Sequence, residues 1–85
     1  MLVLGFSDYQ PQGEALAQEL GCDFSLVYIP RFPDGESKLT LPPELPEKVI
    51  LCRSLDHPND KLIELLLTGQ TAKQLGVKHI TLVVP

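Results

Sequence analysis

Six prolines between Pro30 and Pro58 constrain this chain more than any other feature. Proline has no backbone N–H and a locked φ, so a run of them defeats both a helix interior and a central strand. Pro42-Pro43-Glu44-Leu45-Pro46-Glu47 is therefore neither. The regular structure is driven to the two ends of the chain, and the middle is left as turn and loop.

The ends carry clear periodicities. Leu2 to Phe6 is a short apolar run closing on Ser7-Asp8, a strand followed by polar loop chemistry. Pro11 to Gly21 reads as a helix. Pro11 suits a first turn, Leu16 and Leu20 share a face with Ala17 close by, and Gly21 stands where a left-handed residue ends a helix. Phe24 to Ile29 reads as a second strand, with Phe24, Leu26 and Tyr28 on one face and Ser25, Val27 and Ile29 on the other. Pro33-Asp34-Gly35 is turn chemistry: proline presets φ, Asp bonds its own backbone, and Gly accepts φ > 0. Ser37 to Leu41 then alternates and should return antiparallel to the second strand.

Lys48 to Arg53 contains a continuous apolar run, as in a buried parallel strand. The polar loop Ser54 to Asp60 leads to a long helix starting at Asp60, whose charge favours the macrodipole. Its apolar stripe is Leu62, Leu65, Leu66, Gly69 and Ala72, with Gly69 allowing close approach and Gly76 ending the helix. Ile80 to Val84 reads as another buried strand. The order is β-α-β-β-β-α-β, an α/β fold in which the long helix makes a right-handed crossover between parallel strands.

Composition removes several classes of function. Seven basic residues against eleven acidic ones give a net charge of −4, which argues against gripping nucleic acid. No 20-residue apolar run suggests a membrane span, and Met1 to Phe6 lacks the basic start and length of a signal peptide. Cys22 and Cys52 form no C-x-x-C and sit beside apolar residues, so they read as buried free thiols of a cytoplasmic protein. A chain of this size hides only about 60–65% of its unfolded surface, so its core is thin.

Ligands of open α/β sheets bind outside the carboxyl ends of the strands. Ser7 to Gln10 and Ser54 to Asp60 qualify, but neither carries a glycine fingerprint or a Walker sequence. Asp8 reads as an ordinary loop residue and His79 as a surface histidine; His57 and Asp60, near a helix N-terminus, read as helix-capping residues, with a metal or phosphate site as the alternative. No Ser-His-Asp or Cys-His spacing suggests a nucleophile, so no catalytic residue and no metal ligand is assigned. Arg31-Phe32-Pro33-Asp34-Gly35-Glu36 is the one segment dense in functional types. Phe32 offers a face for a flat ring, and Asp34 and Glu36 accept hydrogen bonds from an amine. An ordinary solvated hairpin tip is the plain alternative.

That segment resembles the Arg-Phe-x-Asp-Gly-Glu stretch of the ribose-phosphate diphosphokinases, the synthetases of phosphoribosyl pyrophosphate. The likeness continues in register through Ser54, Asn59-Asp60-x-Leu62-x-Glu64-Leu65-Leu66, Ala72-Lys73 and Ile80-Thr81-Leu82-Val83-Val84-Pro85, and covers essentially the whole chain. It implies transfer of the β,γ-diphosphoryl group of Mg-ATP to C1 of ribose 5-phosphate. It implies a mostly parallel sheet with flanking helices and a projecting antiparallel β-hairpin, within a type I phosphoribosyltransferase-like domain. Carried over, the ATP-binding residues are Phe32, Asp34 and Glu36, with Gly35 shaping the turn, and the hairpin reaches into a neighbouring subunit of a homo-oligomer.

Residues 1–85 then form a partial amino-terminal domain, without the family's Mg2+ ligands, basic flexible loop or ribose 5-phosphate loop. On that reading the segment alone is inactive. A non-catalytic regulatory or oligomerisation module derived from the same family is the alternative; a flavodoxin-like module lacks its acid pair here. Two departures stand out. Pro46-Glu47 lies near where phosphate-activated members carry Arg-Gly, and Arg53 replaces a residue that is usually uncharged. The sequence offers no account of the arginine.

Overall fold

The computed structural model describes residues 1–29, 39–56 and 58–84. Four strands, β1 (Leu2–Gly5), β2 (Asp23–Leu26), β3 (Lys48–Cys52) and β4 (His79–Val83), form one parallel sheet in the order β2-β1-β3-β4. A 3₁₀ turn (Ser7–Tyr9) leads into α1 (Gln10–Leu20), which connects β1 to β2; α2 (Pro58–Gln74) connects β3 to β4. Leu4 stands between Ser25 on one side and Leu51 on the other. No helix among the described residues is long and apolar enough to cross a membrane.

The continuous apolar runs of β1 and β3 are explained by burial on both faces. Val3, Ile50 and Cys52 pack with Ala17 and Leu16 of α1. Leu2, Leu4, Val49 and Leu51 point the other way and pack with Leu65 and Ala72 of α2. The helices therefore cover opposite faces, giving an α/β/α layering. The return segment also serves the α2 side, where Leu41 is buried and Leu39 and Leu45 pack alongside. Gly21 and Gly76 close the helices at φ 68° and 101°, a region that favours glycine.

α1 lies close to the sheet because two glycines admit Phe24. A Cβ on Gly5 would stand 2.5 Å from the Phe24 ring, and one on Gly13 would stand 2.8 Å from it. Neither residue was singled out by periodicity, because the need for space arises from a third residue.

The structure corrects several expectations. The second strand ends at Leu26 rather than Ile29, because β1 ends at Gly5; its last bond is Val27 N–H to the Gly5 carbonyl, at 2.8 Å. Leu26 and Tyr28 are exposed, while Val27 is buried on the α2 side. The return strand expected at 37–41 is represented among described residues by a single antiparallel bridge, Tyr28 to Thr40. α2 begins at Pro58, where the missing N–H is harmless, rather than at Asp60.

The inward face of α2 is Leu65, Thr68 and Ala72, whereas Leu62 and Leu66 are exposed. Leu62, Ile63, Leu65, Leu66 and Leu67 spread apolar side chains around the middle of this helix, so spacing alone does not choose a face. Thr68 is accommodated because its hydroxyl donates to the Glu64 carbonyl, at 2.7 Å. Gly69 is not needed for close approach: a Cβ there would be in ordinary contact with Ile80, at 3.9 Å. β4 is an exposed edge strand rather than a buried one, paired among the described residues with β3 alone. Cys52 is buried as expected but Cys22 only half-buried, and both are free.

Candidate functional site

All strands run the same way, so their carboxyl ends form one edge. β1 and β3 are neighbours whose connections leave in opposite directions, α1 toward β2 and α2 toward β4. The crevice between their ends is the topological switch point, where open α/β sheets receive ligands. Phe6, Ser7 and Asp8 leave β1 there, and Arg53 leaves β3.

Arg53 is 5% exposed. An arginine this buried needs paired charge, since an uncompensated cation in a low dielectric is costly. Its guanidinium carbon lies 4.2 Å from the centroid of the Phe6 ring, a cation–π contact. Nε and Nη2 both donate to Asp8 Oδ2, each at 3.3 Å. Nη1 is ion-paired with Glu64 Oε1 of α2 at 2.7 Å. Its backbone N–H donates to the Val83 carbonyl of β4, at 3.3 Å. One residue thus ties together the turn after β1, the end of β3, α2 and β4. The planar fork of arginine makes this possible; a point charge could not serve both carboxylates and stack on the ring.

Lys61 extends the cluster. Its Nζ lies 3.2 Å from Asp8 Oδ2 and bonds Asp56. The hydrogen bond to Asp56 chiefly raises its pKa; desolvation opposes that rise and Asp8 adds to it. Acids and bases alternate through Asp56, Lys61, Asp8, Arg53 and Glu64. Such a cluster of alternating charges holds geometry rather than supplying a nucleophile. Cys52 is no nucleophile either, because burial pushes its thiol pKa up.

Beside Arg53 and Glu64 opens a cleft of about 290 Å³, also lined by Phe6, Ser7 and residues 26–29. Across it, Tyr28 and Thr40 exchange backbone hydrogen bonds, at 3.1 Å from the Tyr28 N–H and 2.8 Å from the Thr40 N–H. The chain between them therefore leaves and re-enters at the carboxyl end of β2. Phe32, Asp34, Gly35 and Glu36 fall in that span and lie outside the described residues, as does His57. Asp8, read as an ordinary loop residue, is a shared partner of Arg53 and Lys61. His79 is exposed at the start of β4.

Arg53 is the residue that sequence reasoning left unexplained. A signal was present: an arginine closing the apolar run Val49-Ile50-Leu51-Cys52 requires acidic partners. What the sequence does not show is that Asp8 and Glu64 supply them.

Comparison with known proteins gives a consistent result. The family model described as the N-terminal domain of ribose phosphate pyrophosphokinase matches residues 1–85. A ribose-phosphate pyrophosphokinase of Methanopyrus kandleri is 35% identical over 100% of this chain and 30% of its own length. One from Saccharolobus solfataricus is 38% identical over 100% of the chain and 30% of its own length. One from Methanobrevibacter smithii is 35% identical over 99% of the chain and 28% of its own length. The chain thus spans under a third of the length of these relatives.

Proposed function

The chain belongs to the ribose-phosphate pyrophosphokinase family, and on that footing we propose that it is the adenine-holding segment of an enzyme making phosphoribosyl pyrophosphate. The reaction moves the β,γ-diphosphoryl group of ATP to the C1 oxygen of ribose 5-phosphate. That oxygen attacks the β-phosphorus, the bond to the α-phosphate oxygen breaks, and AMP leaves. The enzyme is cytoplasmic and nucleotide-biosynthetic, a homo-oligomer of type I phosphoribosyltransferase-like domains, with no nucleic acid or membrane partner.

The observation that carries this reading is the Tyr28–Thr40 bridge at the carboxyl end of β2. It supports residues 29–39 leaving the sheet's ligand edge as a projecting antiparallel hairpin. In that hairpin Phe32 stacks on adenine, while Asp34 and Glu36 accept hydrogen bonds around the base, with Gly35 shaping the turn. Stacking holds the nucleotide without entering the phosphoryl chemistry.

Mg2+ would neutralise the phosphate oxygens and help align them for transfer. Among the described residues no three His, Cys, Asp or Glu side chains gather into a site for it. The donors here do not fit a metal centre, and no step is assigned to one. Phosphoryl transfer demands concentrated positive charge, which a segment of net charge −4 does not offer. The isolated chain is therefore inactive.

The test is ATP binding by the full natural protein, measured by calorimetry before and after Phe32→Ala. Loss of one stacking contact should weaken binding roughly tenfold. Unchanged affinity would remove the stacking assignment.

A second reading, a non-catalytic oligomerisation or regulatory module, draws on the exposed apolar groove formed by Leu62, Leu66, Gly69, Ile80 and Leu82. Phosphoribosyl pyrophosphate formation by the full protein would exclude it.

A further inference from the structure

Ser7 is exposed, yet both of its neighbours are held fast. Before it, Phe6 is buried, with its ring centroid 4.2 Å from the Arg53 guanidinium carbon. After it, Asp8 Oδ2 accepts from Nε and Nη2 of the same arginine and lies 3.2 Å from Lys61 Nζ. Across it, the Tyr9 N–H donates to the Phe6 carbonyl at 3.0 Å and closes the turn. The backbone at Ser7 is thus fixed from three sides, in the wall of the 290 Å³ cleft at the switch point. A polar group ordered in this way binds a ligand at low cost, because it is immobilised on folding rather than on association.

The lining selects the kind of group that Ser7 would meet. Among the described lining residues the charged ones are Arg53 and Glu64, paired with each other at 2.7 Å. The wall therefore has no surplus positive charge, which phosphate oxygens would require. Phe6, Leu26, Val27 and Ile29 offer apolar surface for the carbon face of a sugar ring. The volume lies at the small end for ligand pockets, suiting a sugar ring rather than a whole nucleotide. We infer that Ser7 is a substrate-binding residue whose hydroxyl bonds a ribosyl hydroxyl in this cleft. This rests on the proposed reaction, not on the hairpin. Both substrates of that reaction carry such a group, as the ribose of ATP and as ribose 5-phosphate. The serine hydroxyl donates and accepts, so it matches either.

The experiment compares the full natural protein with Ser7→Ala. Ser7 is exposed, so the substitution leaves no cavity and the fold stands. Phosphoribosyl pyrophosphate formation is followed with ATP against its 2′-deoxy and 3′-deoxy analogues, and with ribose 5-phosphate against its 2-deoxy and 3-deoxy analogues. The quantity read is the ratio of kcat/KM between each substrate and its deoxy analogue. Loss of one neutral hydrogen bond should lower that ratio roughly fivefold in one series and leave the other within about twofold. A change in the ATP series assigns the cleft to the nucleotide's ribose, and a change in the ribose 5-phosphate series assigns it to the acceptor sugar. A purely structural effect would slow substrate and analogue alike and leave both ratios unmoved. Ratios unmoved in both series, or lowered in both, overturn the inference, while product formation by the parent protein keeps the proposed reaction. If the parent protein forms no phosphoribosyl pyrophosphate, the proposed reaction fails and this inference fails with it.

Discussion

The guanidinium of Arg53 lies over the ring of Phe6, 4.2 Å from its centroid, joining the carboxyl ends of β3 and β1 at the switch point of the sheet. Both residues are buried, at 5% and 2% exposure. A cation in that position is tolerated only because Asp8 and Glu64 close around it.

Glu64→Gln tests the stability side of this arrangement. The substitution keeps the shape and removes the charge nearest a buried guanidinium. Breaking one side of a buried pair should cost about 3 kcal/mol in unfolding free energy. Urea denaturation measures it, and a change below about 0.5 kcal/mol would show that Asp8 already balances the guanidinium.

Gly5→Ala probes the contact between β1 and Phe24. The added methyl would meet the ring at 2.5 Å, within a buried strand. Overpacking of this kind should cost about 1–3 kcal/mol. Pairing it with Phe24→Leu should recover part of that loss, because the obstructing ring edge is gone. A thermal melt of the two variants compares them directly.

The alkaline limit of stability should depend on Lys61. Its folded pKa is raised, chiefly by the hydrogen bond to Asp56 and then by Asp8. The folded state therefore binds this proton more tightly than the unfolded chain. The contribution is fully present below the unfolded value of about 10.4 and is lost as pH rises through the folded one. Lys61→Met should flatten the stability profile above about pH 10. Equal slopes in both proteins would contradict the assignment.

Leu66 is 73% exposed, and it borders the groove between α2 and β4. An apolar groove of about 460 Å³ beside a strand edge that no described residue pairs favours association. Sedimentation of the 85-residue chain at micromolar concentration should show self-association that Leu66→Lys abolishes. Its unfolding free energy should stay within about 0.5 kcal/mol, since an exposed site holds no core contact. A monomeric parent chain would refute the prediction.

Much of the fold was legible because its signals are local. The apolar runs of β1 and β3, Pro11 in the first turn of α1, and the left-handed glycines at positions 21 and 76 each act within a few residues. The strand calling for antiparallel return was readable only in part. Tyr28 does pair with Thr40, but strand length depends on a partner, and β1 stops at Gly5. The face of α2 was legible only for Leu65 and Ala72, because Leu62, Ile63, Leu65, Leu66 and Leu67 spread apolar residues over several sides of the helix. Contact with the sheet selected Leu65, Thr68 and Ala72. The residues resembling an ATP hairpin were visible as a motif, whereas the cluster that frames the cleft was not.

The sequence by itself determined the order of elements, the parallel character of the central strands and the family likeness. These rest on short-range periodicity, cap chemistry and contiguous motifs, which need no knowledge of distant contacts. Tertiary structure alone decided that Arg53 would be buried, that Asp8 and Glu64 would neutralise it, and that Phe24 would need glycine at positions 5 and 13. Asp8 lies 45 residues from Arg53 along the chain. Only the parallel pairing of β1 with β3 brings their carboxyl ends together, and charge compensation in a low dielectric acts over a few ångströms.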